Sequence, residues 1–161
     1  MKRLALVFLM CIFLFSCTPR YDILSYQREN IDAECVINGK YTVNIIKKED
    51  YRALKIVEPS ELSSVSFELE GSEWVARCED VKIPMEKAQL YGICALCSIF
   101  DLDESTITTA TDTDGIGFVD FVTDDITYTV SYNSQALPEH IKITGSELEL
   151  DVEIKSIKIL E

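Results

Sequence analysis

Basic residues are scarce in this chain of 161: 15 Lys and Arg stand against 28 Asp and Glu, a formal net charge of −13. Phosphate binding rests on Lys and Arg displacing counterions, so this balance argues against nucleic acid as a partner. His140 is the only histidine, which excludes any catalytic arrangement needing a second one. Neither a glycine-rich phosphate loop nor a Gly-x-Ser-x-Gly elbow occurs. Past residue 16 no apolar run is long enough to cross a bilayer as a helix. What is present is ordinary for a globular domain, with 47% hydrophobic and 27% charged residues, and disorder is excluded on that composition. The length suits one domain with a tail, large enough to bury roughly 70% of its unfolded surface without a metal or a disulfide.

The N-terminus reads as an address. Met1-Lys2-Arg3 is a short basic start, and Leu4 to Phe15 is unbroken apolar sequence. As a helix that stretch is roughly 18 Å long, short of the roughly 30 Å hydrocarbon core, which fits a signal peptide and not a permanent span. Leu14-Phe15-Ser16-Cys17 then resembles the lipobox of bacterial lipoproteins, with Phe15 bulkier than the usual residue there. The resemblance implies cleavage before Cys17 and acylation of its sulfur; the plainer reading makes Cys17 the end of a hydrophobic helix. Three segments follow: a signal peptide over 1–16, a lipidated Cys and short tether over 17–30, and a folded domain over 31–161. The expected location is the cell membrane, lipid-anchored and facing outside the cytoplasm. Cleavage removes Lys2 and Arg3 and no acid, so the domain is expected to stand off anionic headgroups.

From Ile31 onward short alternating runs are separated by turn signals. Ile31–Ile37 and Tyr41–Lys48 flank Asn38-Gly39, the strongest short hairpin signal, because both residues tolerate positive φ. Arg52–Val57, Ser64–Glu70 and Trp74–Ile83 follow as strands, the last ended by Pro84. Met85 to about Phe100 changes to helical spacing, and from Tyr91 onward only Gly92 and Ser98 are not hydrophobic. A helix apolar nearly all round is buried on most sides or spans a membrane, and this one is too short to span. Strands resume at Ser105–Thr111, with a turn at Asp114-Gly115, then at Ile116–Val122, Ile126–Tyr132 and Pro138–Ile143. The last runs from Leu148 to Ile159, with a phase slip at Lys155-Ser156 that predicts a β-bulge. The fold class is α+β: a curved antiparallel half-barrel of about nine or ten strands wrapped around a central hydrophobic helix.

The order of these elements, with Glu58-Pro59, Ile83-Pro84-Met85 and Leu137-Pro138-Glu139-His140-Ile141 at their boundaries, resembles the lipoprotein-sorting (LolA/LolB-like) half-barrel, as found in lipoproteins of Gram-positive bacteria. Members of that family hold acyl chains or hydrophobic partners on the concave, helix-lined face. The resemblance implies a non-enzymatic, membrane-anchored module binding a lipid, an acyl chain or a partner lipoprotein, with no cofactor and no metal. Met85, Ile93, Leu96 and Phe100 are the candidate contacts for a hydrophobic ligand. The alternative is a filled core, acting at the cell envelope through an acidic outer face.

Other motifs have structural readings. Cys94-Ala-Leu-Cys97 has redox spacing, but it lies inside an apolar helix, where thiol pKa values rise, and reads as a pair of buried thiols. Use of that pair for thiol redox chemistry is a third functional class. Cys35 and Cys78 lie on separate strands, and alternation leaves open whether they face each other in a disulfide. Asp112-Thr-Asp114-Gly115 lacks the further ligands of a calcium loop and reads as a turn. His140 reads as a surface or half-buried side chain, and the alternating acids Glu68/Glu70 and Glu147/Glu149 as the wet face of strands.

Overall fold

The computed structural model describes residues 24–113 and 116–160, with side chains left out at 109–113 and 116. Six strands come first: β1 (Asn30–Ile37), β2 (Tyr41–Lys48), β3 (Tyr51–Glu58), β4 (Val65–Glu70), β5 (Glu73–Cys78) and β6 (Val81–Met85). Then come the helix α1 (Tyr91–Cys97) and β7 (Ile107–Thr113), β8 (Ile116–Thr123), β9 (Ile126–Tyr132), β10 (Pro138–Thr144) and β11 (Glu149–Leu160). All eleven strands form one antiparallel sheet in the order β6-β5-β4-β3-β2-β1-β11-β10-β9-β8-β7. Two meanders, one on each side of the helix in sequence, are thus joined by the pairing of β1 with β11. The sheet stays open, with β6 and β7 as its edges.

Turn chemistry sets the registers. Asn38 and Gly39 take φ of 52° and 63°, and the Asn38 side chain accepts from the Asp151 N–H at 2.8 Å, tying this hairpin to β11. The slip in β11 is a bulge: Glu34 faces Ser156 and Cys35 faces Ile154, so Lys155 is the extra residue. It returns Ile157 and Ile159 to the face that already carries Val152 and Ile154, opposite Ala33, Ile31, Ile37 and Cys35. Without that extra residue one half of β11 would present its apolar side chains to water.

The strand count exceeds the expected nine or ten because residues 74–83 are two strands. They turn at Glu79-Asp80, with Glu79 at φ 54°, a left-handed position occupied without glycine or asparagine. Met85 belongs to β6, where it pairs with Trp74. Pro84 lies within this edge strand, where its missing N–H does little harm. The expected long helix is a seven-residue α1 between 3₁₀ turns at Lys87–Leu90 and Ser98–Phe100, the first opened by a Glu86/Gln89 capping box. The stretch from Ser105 begins as a 3₁₀ turn, Glu104–Thr106, capped by Asp103, and the strand starts at Ile107. The Asp114-Gly115 turn lies outside the described residues.

The core lies between the sheet and the helical segment. Phe100, Ile99, Phe121, Ile31, Ile45, Ile141 and Val152 are wholly buried. Tyr26, just before β1, meets Phe100 edge-on at 6.2 Å and Tyr132 at 6.4 Å, joining the N-terminal stretch to the helical segment and to the second meander. At Gly145 a Cβ would lie 2.9 Å from the Tyr91 hydroxyl, so the start of α1 presses on the β10–β11 turn. Truncating Phe100 to Ala is expected to cost about 3–5 kcal/mol, read as a lower urea midpoint with unchanged slope.

Candidate ligand cleft beside the helix

The concave face carries the alternate residues of each strand. On β2 to β5 these include Lys47, Arg52, Leu69 and Trp74, in neighbouring register positions. Where α1 crosses this region it leaves a cleft of about 480 Å³. Leu69 and Trp74 line it from the sheet, Cys94 and Cys97 from the helix, and Lys87 from the turn before it. That volume lies within the roughly 300–1,000 Å³ of small-molecule sites.

One wall is a polar clamp. Arg52 grips Asp101 with both prongs, Nε to Oδ2 at 2.7 Å and Nη2 to Oδ1 at 2.8 Å. Lys47, almost entirely buried, reaches the same carboxylate at 3.3 Å and donates to the Phe100 carbonyl at 2.8 Å and to the Gln27 carbonyl. A buried ammonium is costly unless its donors are used, and here three acceptors surround it. The clamp fastens the chain leaving α1 to β2 and β3, and with it the position of the helix over the cleft. Lys87 bears on the Cys94 thiol electrostatically from the turn before the helix.

The thiols are held protonated. Burial pushes Cys97 up to about 12, and it raises Cys94, with Lys87 pulling the other way. A thiol pair in that condition offers no thiolate to attack a substrate at neutral pH. Cys35 is likewise pushed to about 12, by burial and then by Glu34. Cys35 and Cys78 are both free, and they sit four strands apart, about 19 Å, too far for a disulfide.

None of the four residues singled out for ligand contact from the sequence lines the cleft. Phe100 and Leu96 are buried in the core, while Met85 and Ile93 are half-buried against it. Cys94, Cys97, Trp74 and Arg52 take the cleft positions instead. The one available signal was the three-residue spacing of the two cysteines, which puts them on one helix face. His140 is exposed and touches Asp151 across to β11. Cys17 and the segment expected to be a signal peptide lie outside the described residues.

No protein-family model matches the chain, and no curated protein matches it in sequence. Among solved structures, the chain is similar to an uncharacterized conserved protein from Thermus thermophilus, with 8% identity and a TM-score of 0.51, covering 87% of this chain and 85% of that one. It is also similar to a LolA superfamily protein from Nitrosomonas europaea, with 10% identity and a TM-score of 0.43, covering 83% and 85% respectively. At such identity the first likeness shows a shared fold alone.

Alkylation of the folded protein should follow exposure: Cys78 first, Cys94 more slowly, and Cys35 and Cys97 only after unfolding, as read by peptide mass spectrometry. The buried thiols also set a pH dependence. Their protons are held more tightly folded than unfolded, so this contribution is intact below pH 9 and is lost as pH rises towards about 12. Tyr128, raised to about 12 by burial, acts in the same direction above its usual 10.0. The urea midpoint should fall steadily from pH 9 upward.

Proposed function

We propose that the protein is a lipid-anchored, extracytoplasmic and non-enzymatic module that binds a lipid acyl chain or another hydrophobic ligand between α1 and β3–β5. The observation that carries this reading is the cleft of about 480 Å³ with Leu69 and Trp74 on the sheet side. The rest of the lining is polar: the Arg52–Asp101 pair is satisfied internally, the thiols are held protonated, and Glu49, Asp50 and Lys87 offer charges at the rim for the polar end of an amphipathic ligand. The anchor rests on the lipobox-like Leu14-Phe15-Ser16-Cys17, and the membrane is then a partner through lipidated Cys17. A second reading, a filled-core interaction protein, draws on the centre of the concave face, where the large side chains of Ile99, Phe100 and Phe121 are wholly buried.

Native mass spectrometry on residues 18–161 separates the two. An adduct of lipid mass, displaced by organic solvent, is the expected result. A bare protein mass that takes up neither added fatty acid nor phospholipid would overturn the carrier reading and leave the filled-core one.

A further inference from the structure

The apolar concave face continues beyond the helix. In one row across the sheet Leu54 faces Phe67, Phe67 faces Ala76 and Ala76 faces Ile83. Along that row cover is lost, from Leu54 at 1% exposed through half-buried Phe67 and Ala76 to Ile83 at 51%. The next row, Val65, Cys78 and Val81, ends with Val81 at 58%. Isolated exposed apolar side chains need no explanation, but adjacent ones on a single sheet face mark a docking surface.

The two connections that border this corner of the sheet carry charge of one sign, the nearest turn with a cation being that of Lys40, beyond β3. The β3–β4 connection carries Glu61, and the β5–β6 turn carries Glu79 and Asp80, all exposed. Neither connection, 59–64 or 79–80, contains a Lys or an Arg. The basic residues Arg77 and Lys82 lie on the opposite face, engaged with Glu68 and Glu70. A second copy docking here would bring carboxylates against carboxylates, and an anionic membrane surface would be repelled in the same way.

We infer that the open end of the concave face, Val65, Ala76, Cys78, Val81 and Ile83, is a docking surface for a basic, amphipathic polypeptide segment of a partner. Its apolar side chains lie on these residues while its Lys or Arg side chains meet Glu61, Glu79 and Asp80. The segment lies on the face and does not add as a strand at the edge. Cys78 and Val81 flank the two-residue turn and bond to each other, so the outward backbone groups of β6 are those of Lys82 and Pro84. Pro84 has no N–H, which leaves that edge a single outward donor between them. This surface is separate from the cleft, and its occupancy does not depend on a ligand there.

Cys78 is an internal reporter. The full chain in phosphatidylcholine nanodiscs is treated with iodoacetamide, and labelling of Cys78 is followed by mass spectrometry. The added probe is a synthetic peptide alternating Lys with Leu, compared with one alternating Glu with Leu and with a Lys–Ser peptide. The Lys–Leu peptide is expected to slow Cys78 labelling saturably, and the two controls to leave it unchanged. Ile83→Asp should abolish protection, and Glu79→Lys with Asp80→Lys should weaken it about tenfold, with weaker binding at high salt. Equal protection by the Glu–Leu peptide, or protection indifferent to these variants, would overturn the inference, as would no protection at all. Labelling that slows with protein concentration alone would replace the peptide by a second copy. Cys94 labelling is the control for the cleft, and it should not change with the peptide.

Discussion

A large antiparallel sheet with one apolar face is the constraint on which everything else depends. Eleven twisted strands cannot stay flat, and their apolar side must be removed from water by something other than a second sheet. Among the described residues, the stretch between β6 and β7 carries the only α-helix available for this, and that helix is a mere seven residues long. Its brevity explains the rest of the architecture. Short 3₁₀ turns extend it, Phe100 and Ile99 fill the centre of the curve, and Tyr26 closes over Phe100 from the other end of the chain.

A short helix on a broad sheet has to be held in place, and apolar contact has no preferred direction. The clamp around Asp101 supplies direction. Arg52 and Lys47 come from neighbouring strands and meet a carboxylate just past the helical segment, with the Phe100 and Gln27 carbonyls taking the remaining Lys47 donors. Each partner is satisfied only in one arrangement, which is how a polar group within a core specifies a position more than it adds stability.

The same brevity divides the concave face into regions of different character. At its centre the face is covered, with Ile99, Phe100 and Phe121 wholly buried. Beside the helix it opens into the cleft with Trp74 and the two cysteines. Towards β6 it is bare, with Ile83 and Val81 exposed and acids at the adjoining turns. Pro84 and Lys82 in β6 discourage edge pairing there, so the bare face is not simply an unprotected strand.

Strand alternation, the Asn38-Gly39 hairpin, the slip at Lys155 and the apolar stretch after Tyr91 are local signals, and each corresponds to an observed feature. Local signals failed where a turn used an unusual residue, as Glu79 does, and where Pro84 lay inside an edge strand instead of opening a helix. By itself the sequence determined the class of fold and most of its strands, because periodicity and turn preference act between near neighbours, whereas the split of residues 74–83 and the pairing of β1 with β11 came from the tertiary structure. Which side chains line the cleft, which fill the core, and that Cys35 and Cys78 stand four strands apart were decided only by the tertiary structure. Those outcomes depend on where a short helix comes to rest on a curved sheet, and residues far apart in the chain, Lys47, Arg52 and Asp101, set that position together.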